Sequence, residues 1–161
     1  MAQHGQLQKV AKWLHKGGLV DALCSTLTDY GRPCSFTLLH AAAANNRLKI
    51  VRELLERGAN IDLPSSLGDT TLMCSADHGH LSTLLLLLQH SANPDLLDIY
   101  GITGLMWAAH KGQEACVQAL LRAKANTELL DGKGRTALQW AEAKGHTIVA
   151  KLIRQHTTPP Q

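Results

Sequence analysis

GITGLMWAAHKGQ, residues 101–113, gathers Leu105, Trp107, Ala108 and Ala109 into one helical stretch and then halts at Lys111-Gly112. A helix this short is marginal in water, because nucleation costs more than one or two turns return. Its support must come from elsewhere in the chain. The same frame recurs in SFTLLHAAAANNR (35–47), GDTTLMCSADHGH (68–80) and GRTALQWAEAKGH (134–146). Thr37, Thr70, Thr103 and Thr136 stand 33 residues apart. Each is followed by a Leu (39, 72, 105, 138) and by a turn residue, Asn46, Gly79, Gly112 or Gly145. Further on come Val51, Leu84, Val117 or Ala150, and then Leu54, Leu87, Leu120 or Ile153.

A fixed period of this size marks a repeat array. Each unit reads as a short inner helix, a tight turn, an outer helix and a polar hairpin. The Thr is an N-cap whose hydroxyl accepts from an otherwise unpaired backbone N–H. Ala-rich positions keep the inner helix narrow, and the Gly or Asn ends it where a positive φ is needed. Leu48, Val51, Leu54 and Leu55 give the outer helix its apolar stripe. Such a unit cannot cover its own stripe, whereas stacked units cover one another.

These residues resemble the ankyrin repeat, whose signature is T-P-L-H-x-A. Thr37-Leu38-Leu39-His40-Ala41-Ala42, followed by LKIVRELLERGANID, is the closest copy. The resemblance implies an all-α solenoid of helix-turn-helix units with β-hairpin-like loops. Departures accompany it: Leu38, Thr71, Gly104 and Ala137 replace the Pro, and only His40 keeps the His. Ser91 and Lys124 replace the Gly seen at Gly58.

The array is read over residues 1–156, with full repeats starting near 37, 70, 103 and 136. AQHGQLQKVAKWLHKGGLVD aligns with the outer half of a repeat, so residues 1–20 form a half repeat with Val10, Trp13 and Leu14 at core positions. Residues 21–36 form an extended hairpin about eight residues longer than the others, expected as a flexible loop with free Cys24 and Cys34. Arg154 replaces the Leu of earlier outer helices, as suits a cap, and 157–161 are expected to be a disordered tail.

Composition narrows the function. Apolar residues make up 45% and aromatics only 4%, which fits small packed helices rather than a sandwich. The net charge of +3 is dispersed, with no basic arm, so nucleic-acid binding is disfavoured and weak at most. MAQHGQLQKVAK lacks the apolar stretch of a signal peptide. LSTLLLLLQ at 81–89 falls well short of the roughly 20 residues of a membrane span. No membrane partner is expected. Cys24, Cys34, Cys74 and Cys116 form no framework, and an intracellular location, cytoplasmic or nuclear, follows.

No nucleophile, phosphate loop or metalloprotease motif occurs, so neither an enzyme nor a cofactor is expected. Asp77, His78 and His80 are a D-H-x-H cluster, but adjacent positions at a helix end diverge, and metal binding is set aside. Trp107 and Trp140, at equivalent inner-helix positions, are read as gap fillers rather than as a recognition stripe.

Positions that vary between copies are free to recognise a partner. In the hairpins these are Leu67 and Asp69, then Ile99, Tyr100 and Ile102, then Lys133 and Arg135. At inner-helix ends they are Asp77 and His78, His110 and Lys111, and Lys144. By the ankyrin resemblance they line a concave face where a protein docks. Ile99, Tyr100 and Ile102 are the expected apolar anchor. Lys111, Lys133 and Arg135 form a basic rim for an acidic partner. A small inhibitor of an enzyme such as a kinase is the alternative form of the same module. Self-association around Trp13 is a further expectation.

Overall fold

The computed structural model describes residues 2–27 and 33–157. Residues 28–32 and 158–161, with the side chains of residues 2–7 and 10, lie outside the described residues.

Inner helices α2 (Leu38–Ala44), α4 (Thr71–His78), α6 (Gly104–Lys111) and α8 (Ala137–Ala143) form one layer. Outer helices α1 (Ala2–His15), α3 (Leu48–Glu56), α5 (Leu81–Gln89), α7 (Glu114–Arg122) and α9 (Thr147–Thr157) form the second. Each helix touches the next one in its own layer, and each inner helix from α2 onward packs on the outer helix that follows it. Thr157, expected in the tail, instead ends α9, where its hydroxyl donates to the Arg154 carbonyl at 3.0 Å.

The Thr caps form as their sequence frame requires. Thr37, Thr70, Thr103 and Thr136 are extended and accept from the N–H three residues on. Gly79 and Gly112 then end their helices in the left-handed region, at φ 71° and 69°. A side chain there would also displace a neighbour from the next repeat. A Cβ on Gly79 would lie 2.4 Å from Gln113 Oε1, and one on Gly112 would lie 2.7 Å from the His146 ring.

The small inner residues permit close stacking. Gly104 sits against Met73 and Ala76 of the preceding repeat, and Ala108 and Ala141 are sealed from solvent. Leu54, Leu84, Leu87, Val117, Leu120 and Ile153 are fully buried between the layers. Each contributes roughly 1.5–3 kcal/mol by leaving water. At the N-terminal end Leu14 is buried, while Trp13 stays 43% exposed with its ring over Gly18.

The first hairpin differs from its reading as a flexible loop. β1 (Leu23–Leu27) pairs antiparallel with β2 (Pro33–Thr37), with Cys24 opposite Phe36 and Ser25 opposite Ser35. The described residues of the insertion, 23–27 and 33–37, satisfy their backbone groups in a ladder, so this part of it is a structural element. Cys24 and Cys34 are free and not directly opposed, since Cys34 faces Thr26. Ser35 also exchanges two bonds with Ser66: its carbonyl accepts from Ser66 N–H at 2.8 Å and its N–H donates to Ser66 Oγ at 2.9 Å.

Ser91 and Lys124 occupy the left-handed region at φ 65° and 60°, where the equivalent Gly58 has 81°. A Cβ is strained in that region. Ser91→Gly and Lys124→Gly should each stabilise the array by about 0.5–1 kcal/mol. Thermal unfolding of the double variant is expected about 2–8 °C above the wild type; an unchanged or lower midpoint would disprove the strain.

Candidate protein-binding surface

Three hairpins project from the inner-helix layer as fingers, and each is built on one capped turn. Asp98 Oδ1 accepts from the Tyr100 and Ile102 N–H groups, both at 2.9 Å. Asp131 Oδ1 does the same for Lys133 and Arg135. Ser65 takes that place in the preceding finger, its Oγ accepting from Leu67 at 3.1 Å and Asp69 at 3.2 Å. The fingers also grip one another. Ile99 N–H donates to the Leu67 carbonyl, and Gly132 N–H to the Tyr100 carbonyl. A rigid rack of loops results, rather than three mobile tips.

The last two fingers and α8 enclose a cleft of about 450 Å³, lined by Ile99, Tyr100, Ile102, Lys133, Arg135 and Trp140 among others. Ile99 and Tyr100 are more than half exposed. Trp140 forms the floor: its indole N–H donates to Asp131 Oδ2 at 3.1 Å, and the Arg135 guanidinium lies 3.9 Å over its ring. Arg135 itself pairs with Asp131 at 2.8 Å. Burial works against the Asp131 charge. The hydrogen bonds from Arg135 and Lys133 outweigh it and hold the carboxyl below the ordinary range. The His110 ring fits edge-on between Trp107 and Trp140, at 6.2 and 4.9 Å. Burial, with Lys144 and Lys111 nearby, lowers its pKa, so the wedge between the indoles is neutral.

The other end of the face is acidic. A smaller cleft of about 270 Å³ lies between the β1–β2 hairpin, α2 and α4, with Cys34, Phe36, Asp69 and Cys74 in its walls. His40 supports it from behind. Its Nδ1 bonds to the Thr37 hydroxyl at 2.8 Å, and its Nε2 to the Asp69 carbonyl at 2.8 Å. Burial lowers the His40 pKa and keeps the ring neutral, as that arrangement requires. Burial first, then the Asp98 and Asp77 carboxylates, push the Asp69 carboxyl from 3.8 up to about 6.

The candidates named from sequence fall into two groups. Ile99, Tyr100, Ile102, Lys133 and Arg135 meet at one cleft. Ile102, expected as an exposed anchor, is half-buried and packs against the core. Asp77 and Lys111 meet across adjacent helix ends at 3.5 Å, with exposed His78 beside Asp77. Leu67 and Asp69 lie at the first of the three fingers, and Lys144 stays exposed at the end of α8.

The basic rim needs correction. Stacking carries Lys111 to Asp77, and the finger turn carries Arg135 to Asp131. Of the three rim cations, only Lys133 has no ion pair among the described residues. Trp140, read as a gap filler with one edge showing, is half-buried against the core and also lines the cleft. For the D-H-x-H cluster, His78 Nδ1 and His80 Nε2 are hydrogen-bonded to the Cys74 and Ala44 carbonyls. Among the described residues no three metal-ligating side chains converge. No described helix is long and apolar enough to cross a membrane.

A family model described as ankyrin repeats (3 copies) matches residues 1–98 and 91–160, nearly the full length of the chain. No curated protein matches it.

The Asp69 carboxyl supplies a test of the acidic end. Its folded pKa of about 6 exceeds the ordinary 3.8, so its stabilising contribution is complete below 3.8 and is lost as pH rises through 6. Relative to Asp69→Asn, the wild type should lose about 1–2 kcal/mol across that window, the part of the shift left after solvent screening. Urea unfolding of both chains at several pH values measures this; parallel curves would rule out the raised pKa.

Proposed function

The chain belongs to the ankyrin-repeat family, and on that premise we propose that it is a non-catalytic binding module whose protein partner docks across the fingers and inner helices. Ankyrin repeats are generally protein–protein interaction modules and are typically non-catalytic. The observation that carries the reading is the cleft between the last two fingers. There Ile99 and Tyr100 present exposed apolar surface beside a half-buried Trp140, on loops hydrogen-bonded to one another. Exposed aromatic and aliphatic groups on a rigid frame suit a hot spot, because little ordering entropy remains to be lost on binding. Lys133 and Lys144 leave positive charge on that side for acidic groups of the partner. An intracellular setting is part of the same proposal and rests on the cysteine pattern.

Affinity capture from a lysate of the source cells, comparing the wild type with Tyr100→Ala/Lys111→Glu, tests the docking face. A partner held by the wild type and lost by the folded double variant is expected. Retention by both would move docking away from this face. Self-association is proposed separately, on the exposed ring of Trp13. Sedimentation should then show a concentration-dependent dimer that Trp13→Lys reduces to monomer; a wild-type monomer at all concentrations would dismiss the idea.

A further inference from the structure

We propose that the cleft between the β1–β2 hairpin and α4 receives a cationic side chain of the protein partner, an arginine before a lysine, with the Asp69 carboxylate as its counter-ion. This rests on the docking role proposed above and specifies one anchor within it.

The internal repeat supplies the argument. Positions 65, 98 and 131 are equivalent, as are 69, 102 and 135, and 74, 107 and 140. In the last repeat these are Asp131, Arg135 and Trp140, and the group is complete. The guanidinium bonds to Asp131 at 2.8 Å and covers the indole at 3.9 Å. In the Ser65–Asp69–Cys74 copy the acid has moved four positions along. Ser65 takes over the turn-capping bonds, which releases a carboxylate from that duty. Among the described residues the only side-chain hydrogen bond to the Asp69 carboxylate is from the Ser65 hydroxyl, at 3.4 Å.

Among the described residues no cation stands at that site, and Cys74 occupies far less space than the Trp of the later copies. What remains is a cleft of about 270 Å³ lined mainly by Cys34, Phe36, Ala41, Ala44 and Cys74, with Asp69 also in its walls. That is smaller than the roughly 300–1,000 Å³ of small-molecule sites, and it suits one long side chain. Apolar walls match an aliphatic stem, and a carboxylate among them matches a charged head. A guanidinium is preferred to an ammonium because it is planar, weakly hydrated and able to lie on the Phe36 ring. Burial and the neighbouring Asp98 and Asp77 charges disfavour the Asp69 anion, and the opposite charge of an incoming cation offsets that cost.

The test uses the full chain and two small probes, N-acetyl-arginine amide and its neutral isostere N-acetyl-citrulline amide, titrated at neutral pH and low salt. Nitrogen–proton correlation spectra report the binding site. Arginine amide should shift the amides around Phe36, Asp69 and Cys74, with the citrulline probe about tenfold weaker. Asp69→Asn should remove that preference. Cys74→Trp, which restores the ring of the later copies, should block both probes in a chain that still gives a folded spectrum. Equal binding of the two probes, no shifts, shifts centred elsewhere, or an undiminished preference in Asp69→Asn would each overturn the inference. The two readings fail separately. A partner lost with Tyr100→Ala/Lys111→Glu while the arginine probe stays silent leaves the docking face standing without this anchor. An arginine-specific shift with a partner retained by that double variant leaves the anchor standing without the face.

Discussion

Every repeat in this chain reaches back to the one before it with a polar group placed at the same register, and the array depends on that contact. Asn60, Asn93 and Asn126 donate their N–H groups to Asp21, Asp62 and Asp95 of the preceding unit, at 2.8–3.0 Å. His80 and His146 bond to the Ala44 and His110 carbonyls, both at 3.0 Å. Apolar burial supplies the larger share of stability but is not directional. The ladders are directional, and they bring the Gln113 and His146 side chains close over Gly79 and Gly112. Short inner helices survive because they are held at both ends by neighbours.

The proposed binding surface inherits that spacing. Since adjacent fingers are hydrogen-bonded, a side chain on one is fixed relative to the next without a contact of its own. Trp107, His110 and Trp140 can therefore interleave edge to face across two repeats. Exposed Tyr100 stands over the same cleft that Trp140 floors. The rigidity comes from repetition, and the chemistry comes from the positions that escape it. Ser65 in place of Asp, with Asp69 in place of Arg, turns a self-contained ion pair into a carboxylate facing an open cleft.

Charge along the face follows the same logic. At the C-terminal end Arg135 is used internally, as is Lys111 toward the middle, which leaves less positive potential than the residue list suggests. At the N-terminal end Asp69, Asp77 and Asp98 lie near enough to raise the Asp69 pKa. The surface is thus polarised from an acidic cleft under the first hairpin to an aromatic and basic cleft under the last finger.

The sequence by itself determined the period, the caps and the turns. Thr at a fixed place before an Ala-rich stretch and Gly after it are local requirements of N–H capping and positive φ, and local requirements are written locally. It also determined which positions vary, and so that Ile99 and Tyr100 are surface residues. Tertiary structure alone decided what those positions do. Leu23–Leu27 and Pro33–Thr37 became strands because each satisfied the backbone of the other, a pairing that no single segment announces. Lys111 was neutralised by Asp77, and Trp140 was drawn into a cleft, by residues one repeat away in the chain. Cys74 reads as an ordinary small residue until the space left by a missing indole is seen beside Asp69. Stacking brings positions 33 residues apart side by side, and only in that juxtaposition do an unmatched charge and an empty volume become visible.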